Sequence, residues 1–170
     1  MLSQDAQRTD MFRKNALLNE LYDNIERCSI EELELLQHLA NSLNKTRESG
    51  FHFLGHSLGI ELAVENEAVM HLGLHNENRY GNAQGGAIYT LADVTIAKQI
   101  IDKLPDDKNV YTLEMKMNYF KPGHGKQLHA KSSILHWGRK TVVGECDILD
   151  EGEELVAKAI GTFYVARKRV

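Results

Sequence analysis

Cysteine and proline are both scarce in this 170-residue chain, which contains two residues of each. Cys28 and Cys146 lie far apart and match no spacing typical of a metal site or a redox pair. We interpret them as two small, partly buried residues. Isolated thiols fit a reducing compartment, so the predicted location is the cytoplasm.

Long apolar runs and an excess of positive charge are also missing. No stretch is long enough to cross a bilayer, and the polar N-terminus lacks the apolar core of a secretory signal. A net charge of −4 argues against a nucleic-acid-binding protein, because such proteins carry a basic field. The basic residues 167–169 are an exception, and they form either a solvated tail or a contact for a phosphate-bearing ligand.

Residues 1–50 form an N-terminal helical extension in our interpretation. Apolar side chains at helical spacing predict a first helix over residues 11–26. Ser29 and Glu32 make a capping box, because each side chain can bond the other's free backbone N–H. A leucine stripe then predicts a second helix from residue 30 to 43 or beyond, ended by Gly50. The two helices predict a hairpin that packs through its leucine stripes on its own domain or on a partner subunit.

From residue 51 the apolar residues alternate, as they do in strands. Residues 58–65 and 68–75 predict a β-hairpin. Residues 85–103 predict a helix that is apolar over a wide face and therefore buried along most of its length. Short links join four further strand-like runs, which predict an antiparallel meander at about 109–120, 126–137, 140–150 and 154–166. The order indicates an α+β fold, a domain over residues 51–170 in which the sheet wraps one long buried helix.

The loop that enters this helix carries the clearest chemical signal. Gly85 and Gly86 stand where the helix starts, and free N–H groups there favour negative charge such as a developing oxyanion. The same pair also suits a plain tight turn. Asp93 follows two turns later among apolar residues, where a carboxylate needs a partner or a function. The pattern alone leaves a structural and a catalytic Asp93 equally open.

The histidines give a weaker signal. His52 and His56, like His71 and His75, are four residues apart, a spacing that can chelate a metal on a helix. The second pair falls on a predicted strand, and no third ligand is apparent. We therefore predict no metal site. The chain also lacks the G-x-S-x-G, P-loop and H-E-x-x-H motifs.

A longer motif surrounds the glycine pair, and its residues are Asn78, Gly81, Gln84, Gly85, Gly86, Leu91 and Asp93, followed by Tyr119 and Pro122. A Gly138-Arg139 turn, a hairpin at 150–152 and a strand at 157–163 complete the pattern. With these residues, the stretch 51–170 resembles the hotdog-fold thioesterases, particularly the phenylacetic-acid-degradation (PaaI-like) group. The resemblance implies hydrolysis of an acyl-coenzyme A with no added cofactor. It also implies a site at the interface of a homodimer, which in this group often pairs into a homotetramer.

Position by position, the resemblance implies a role for each motif residue. Asp93 is the catalytic carboxylate and acts as a general base or as a nucleophile. The Gly85 N–H polarises the thioester carbonyl, Asn78 helps to place the water or the thioester, and Thr112 of the partner subunit orients the water. Gly86 lies against the substrate. We expect the phosphates of coenzyme A to meet Arg139, Lys140 or the basic residues 167–169.

One position departs from the family, since Gln84 stands where histidine is usual. A glutamine amide can hold a carbonyl oxygen but cannot shuttle a proton. Two alternatives therefore accompany the thioesterase. A non-catalytic hotdog domain could sense an acyl-CoA through the N-terminal helices, although residues 1–50 show no basic DNA-reading motif. A hotdog dehydratase would need a histidine where Gln84 stands.

Overall fold

The structure is a computed structural model, and it describes residues 4–63 and 65–168. In this part of the chain the elements follow the order α1 (Gln4–Ile25), α2 (Ile30–Ser49), α3 (Phe53–Ser57), β1 (Ile60–Leu62), β2 (Glu67–His71), α4 (Gly85–Ile101), β3 (Lys108–Tyr119), β4 (Gln127–Trp137), β5 (Thr141–Leu149) and β6 (Leu155–Arg167). Two compact units divide between Asn41 and Ser42. The domain boundary after residue 50 stays a prediction. None of the helices in the described ranges is long and apolar enough to span a bilayer.

The N-terminal unit contains α1 and the first part of α2, and both helices were predicted. The capping box is confirmed, because the Ser29 N–H donates to Glu32 Oε2 over 2.7 Å and the Glu32 N–H donates to Ser29 Oγ over 3.2 Å. The backbone bond from Ser29 lowers the pKa of Glu32. Apolar side chains on both helices stay exposed, among them Phe12 and Leu18 on α1. Packing of these stripes on a domain or a partner stays a prediction.

The second unit begins within α2, which ends where predicted. Gly50 follows its last residue with φ +72°, a left-handed conformation that favours glycine. The short helix α3 comes next and was not predicted. His52 caps it, because its Nδ1 atom accepts the Gly55 N–H over 2.9 Å.

Within the described residues, six antiparallel strands form one sheet in the order β1-β2-β4-β5-β6-β3. The predicted hairpin is present as β1 and β2, with Ile60 opposite Met70. Strands β4, β5 and β6 are successive neighbours, as a meander requires.

The meander prediction is wrong for β3, which pairs with β6 at the edge of the sheet and not with β4. The link from β3 to β4 does not form a hairpin, because it packs against the start of α4. The Gly123 carbonyl accepts the Ala83 N–H over 2.8 Å, and the Lys126 carbonyl accepts the Leu72 N–H over 2.8 Å. These bonds carry the chain past the helix to the other side of the sheet.

The core lies between α4 and the sheet, and α4 is buried along most of its length, as predicted. The buried residues of α4 are Ala87, Ile88, Leu91, Ala92, Val94, Thr95, Ile96 and Ile100. They meet fully buried side chains of the central strands, including Val142, Ile148 and Phe163. At Gly144 on β5 a Cβ atom would stand 2.6 Å from Ile96 Cγ2, so the helix approaches the sheet backbone closely there. This packing fixes both ends of α4 against the strands.

Candidate active site

The first turn of α4 presents backbone N–H groups that have no partner in the described chain. Gln84 is the N-cap with φ −65° and ψ 133°, and its carbonyl accepts the N–H groups of Ala87 and Ile88. Neither the Gly85 N–H nor the Gly86 N–H donates a hydrogen bond within residues 4–63 and 65–168. Both lie at the positive end of a 17-residue helix. This turn can therefore bind an oxyanion, and the role of Gly85 in polarising a thioester carbonyl stays a prediction.

The loop before α4 is held by two asparagines. Asn76 is buried, and its Nδ2 atom donates to the Leu58 carbonyl over 2.9 Å and to the His71 carbonyl over 2.7 Å. Asn76 was not predicted from the sequence, where its only signal is a polar side chain between a strand and a glycine-rich loop. Asn78 Oδ1 accepts the Tyr80 N–H over 2.9 Å and so shapes the tight turn. Asn78 would therefore contact a substrate through its amide nitrogen.

Asp93 lies on the half-buried side of α4, facing β3. Its Oδ1 atom accepts the hydroxyl of Thr112 over 2.8 Å. Thr112 sits where the β3–β6 register shifts at a bulge, before Glu114, and such bulges re-aim side chains. The resemblance implies a threonine from the partner subunit, whereas here Thr112 reaches Asp93 of its own chain. The second oxygen of Asp93 remains an available acceptor site.

Gly85 and Asp93 lie well apart along α4. Eight residues separate them on α4. At a rise of 1.5 Å per residue, this corresponds to about 12 Å along the helix axis. A base, a water and a carbonyl held by an N–H each need separations of about 3 Å. The oxyanion-binding turn and the carboxylate are therefore separate features of α4.

A pocket of about 320 Å³ opens in front of Gly85. Tyr119 forms one wall, and its hydroxyl donates to the Gly85 carbonyl over 2.8 Å. Burial raises the pKa of Tyr119, with a smaller contribution from Tyr89. The other lining residues are Asn78, Tyr80, Asn82, Ala83, Ile88, Phe120, Lys121, Pro122 and Gly123. The pocket is thus shaped by the same loop and link that hold the start of α4.

The predicted phosphate contacts meet in a second cavity, of about 610 Å³. Arg139 and Lys140, from the turn between β4 and β5, line it together with Arg167 from the end of β6. Lys108 lies opposite Arg167 in the β3–β6 register, and it also lines the cavity. Lys108 was not predicted from the sequence, because only strand pairing brings it here. Residue 169 of the basic cluster lies outside the described residues.

The four histidines considered as metal ligands make other contacts. His56 Nε2 lies 2.9 Å from Ser49 Oγ, and His71 Nε2 lies 3.5 Å from Glu61 Oε2. His75 Nε2 lies 3.1 Å from the His71 carbonyl, and His52 caps α3. Within the described ranges, no three histidine, cysteine or acidic side chains are grouped to hold a metal ion.

Comparison with known proteins places this architecture among the hotdog folds. The crystal structure of the BH2602 protein from Bacillus halodurans with CoA superposes with a TM-score of 0.81 and 27% identity, covering 88% of this chain and 99% of that one. Residues 80–157 match the thioesterase superfamily model. A putative esterase of Saccharolobus solfataricus, SSO2140, is 29% identical over 54% of this chain, which spans 65% of its length. The medium/long-chain acyl-CoA thioesterase YigI of Salmonella typhimurium is 25% identical over 64% of this chain and 83% of its own length.

The fold is therefore the hotdog fold, an antiparallel sheet around one helix, with N-terminal helices added. Over residues 80–157 the chain is similar to the thioesterase superfamily.

Proposed function

We propose that the protein hydrolyses acyl-coenzyme A thioesters at a site built by two subunits of a homodimer. The main support is that α4 carries two separate groups. The N–H groups of Gly85 and Gly86 are free at its start, and the carboxylate of Asp93 lies about two turns further along. Two antiparallel copies of such a helix supply a complete site twice, whereas one copy supplies none. The CoA in the BH2602 structure and the YigI relative support the substrate class.

In this mechanism the N–H groups of one chain hold the thioester carbonyl oxygen. Asp93 of the other chain takes a proton from water, and the water oxygen attacks the carbonyl carbon. The oxyanion that forms is stabilised by the Gly85 N–H and the helix dipole. When the C–S bond breaks, the proton on Asp93 passes to the departing thiolate. Direct attack by Asp93, which forms an anhydride that water then hydrolyses, uses the same groups.

The remaining site residues position these groups. Thr112 fixes one oxygen of Asp93 through its 2.8 Å bond, which leaves the other oxygen for water. Gln84 makes no capping bond with its side chain, so its amide is available to donate to the carbonyl oxygen. Asn78 donates through its amide nitrogen to the water or the thioester. None of these steps requires a cofactor besides the coenzyme A of the substrate.

The basic cavity fits the nucleotide end of coenzyme A. Arg139 and Lys140 supply two positive charges, and Lys108 and Arg167 add two more from neighbouring strands. Charge-assisted hydrogen bonds to phosphate are among the stronger polar contacts in proteins. Hydrolysis would therefore favour coenzyme A esters over thioesters that lack the nucleotide.

The dimer is supported by the free edge of β3. This strand pairs with β6 on one side only, as the terminal strand of the sheet. Its side chains Tyr111 and Leu113 are more than half exposed, an unusual environment for large apolar groups on an open edge. Pairing with β3 of a second copy would cover this edge.

Two free cysteines, Cys28 and buried Cys146, fit a cytoplasmic location.

The test is hydrolysis of short, long and aromatic acyl-CoAs by the purified protein, followed by release of the coenzyme A thiol. Burial raises the pKa of Cys146 to about 12, so this thiol adds no background at neutral pH. We expect Asp93→Asn to lower kcat by roughly 10²–10⁴-fold, the usual contribution of a general base. Asp102→Asn, at the C-terminal end of α4, is the matched control. Tight binding without turnover would instead identify an acyl-CoA sensor, and equal activity of Asp93→Asn and wild type would remove Asp93 from the mechanism.

A further inference from the structure

Tyr119, the last residue of β3, reaches the start of α4. Its hydroxyl donates to the Gly85 carbonyl over 2.8 Å. Its ring also packs on this turn, because a Cβ atom added to Gly85 would stand 3.6 Å from the Tyr119 ring. No step of the mechanism above uses this side chain.

The accepting carbonyl belongs to the same peptide group as the Gly86 N–H. A hydrogen bond to a peptide oxygen draws electron density toward that oxygen and makes the N–H at the other end a better donor. Such cooperative strengthening amounts to roughly 10–30% per bond in condensed-phase estimates. The Gly86 N–H has no acceptor within residues 4–63 and 65–168, and a Cβ atom at Gly86 would meet nothing within 4 Å. The strengthened donor is therefore unpaired and lies next to the Gly85 N–H in the first turn of α4.

We propose that Tyr119 is a positioning residue that orients and polarises the Gly85–Gly86 peptide, so that Gly86 supplies a second oxyanion donor. The inference rests on the proposed function, because it assigns a role within that same site. Burial raises the pKa of Tyr119, so the phenol stays protonated and able to donate at neutral pH. A donor that already points at the peptide before substrate binds costs no reorganisation during the reaction.

A second tyrosine between α4 and β3 provides a control for simple attachment of the helix to the strand. Tyr89 donates its hydroxyl to the Met115 carbonyl over 2.7 Å. Like Tyr119, it ties the helix to β3 through one phenol-to-carbonyl bond. Its acceptor peptide lies on β3 and not at the helix start. Tyr89→Phe therefore removes a similar tie and leaves the Gly85–Gly86 peptide unchanged.

The experiment compares Tyr119→Phe with Tyr89→Phe in steady-state hydrolysis of the best acyl-CoA. We expect Tyr119→Phe to lower kcat three- to tenfold with KM changed less than twofold, and Tyr89→Phe to move neither. Incorporation of 3-fluorotyrosine at position 119, a more acidic donor, should keep kcat at or above the wild-type value. An equal fall of kcat in both phenylalanine variants would overturn the proposal, since it would show a structural tie only.

A measurement that does not depend on turnover tests the role of Tyr119 separately from the proposed hydrolysis. In the unliganded protein, the Gly85 carbonyl ¹³C and Gly86 amide ¹H and ¹⁵N resonances should shift in Tyr119→Phe and stay unchanged in Tyr89→Phe. Unshifted resonances in Tyr119→Phe would refute the polarisation, whatever the kinetics. If the wild type hydrolyses no acyl-CoA, the proposed function fails, and these resonances still decide whether Tyr119 polarises the peptide.

Discussion

The division of the site between two chains can be tested by combining two inactive subunits in one dimer. Gly85→Pro removes the N–H of the first helical residue, and Asp93→Ala removes the carboxylate. If each site takes Gly85 from one subunit and Asp93 from the other, the mixed dimer contains one intact site and one that lacks both groups. If each site lies within one chain, both sites of the mixed dimer are dead.

The structure indicates that Gly85→Pro leaves the fold intact. Proline is favoured at the first position of a helix, where its missing N–H has no helical partner in any case. It also requires an extended residue before it, and Gln84 already has φ −65° and ψ 133°. Gly85→Ala is the matched control, because it keeps the N–H while its Cβ makes an ordinary 3.6 Å contact with Tyr119.

The magnitudes separate the two outcomes clearly. Loss of one oxyanion donor costs about 10²–10³ in kcat, and loss of the base costs about 10²–10⁴. The two variants are co-expressed with different affinity tags, and the mixed dimer is purified through both. We expect it to have about half of the wild-type kcat per dimer, at least about 50-fold above either parent. A mixed dimer no more active than its parents would refute the shared site, provided that Gly85→Ala retains activity.

Three further predictions follow from particular contacts. The double variant Arg139→Ala/Lys140→Ala should raise KM for acyl-CoA about tenfold, since a bond to a charged group contributes ~1.5 kcal/mol or more, and leave hydrolysis of acyl-pantetheine unchanged. The hydrogen bond from Lys121 lowers the pKa of Asp150 below its ordinary 3.8. The ionised carboxylate therefore stabilises the fold above that pH and ceases to do so as the pH falls through the lowered value. We expect Asp150→Asn to show a smaller decrease of the thermal midpoint below about pH 4 than the wild type. Gly144→Ala places a methyl group 2.6 Å from an isoleucine of α4 and should lower the free energy of unfolding by ~1–3 kcal/mol in a urea titration.

Each of these has an outcome that would contradict it. An equal rise in KM for acyl-pantetheine would mean that the basic cavity does not bind the nucleotide. If the thermal midpoint of Asp150→Asn falls as steeply with decreasing pH as that of the wild type, other carboxylates govern acid unfolding. Wild-type stability of Gly144→Ala would mean that α4 can move away from β5 without loss, and Gly152→Ala, with a nearest contact of 3.4 Å, is the control for loss of a glycine.

Periodicity predicted the elements of the fold but not all of their neighbours. The helical and alternating patterns gave both N-terminal helices, the β1–β2 hairpin, α4 and four further strands, because each pattern reports which face of one element is apolar. The partner of β3 could not be derived in this way. Strand order depends on the link over residues 120–126, which packs against the start of α4 through bonds such as the one between Ala83 and Gly123. Such long-range bonds leave no periodic signal.

The candidate site divides in the same manner. The glycine pair and Asp93 are local features of one helix, so the sequence placed them correctly relative to each other. The contact between Asp93 and Thr112 was not predicted, because it joins α4 to β3 and the resemblance implied a Thr112 from the partner subunit. Lys108 and the hydroxyl of Tyr119 were missed because their roles depend on where β3 lies. The strand with the wrongly predicted neighbour thus carries two of the missed groups, whereas buried Asn76 lies in the loop before α4.

The groups at the start of α4 also decide between hydrolysis and dehydration. The Gln84 amide and the N–H groups of Gly85 and Gly86 donate hydrogen bonds but accept no proton at neutral pH. Tyr119, with its raised pKa, stays protonated there. This end of the site can therefore stabilise negative charge, and the proposed mechanism assigns the role of proton acceptor to Asp93. Both reactions take up one proton and deliver one to the leaving group, and the dehydratase alternative needs a histidine where Gln84 stands. Because a glutamine amide cannot shuttle a proton, this position favours hydrolysis.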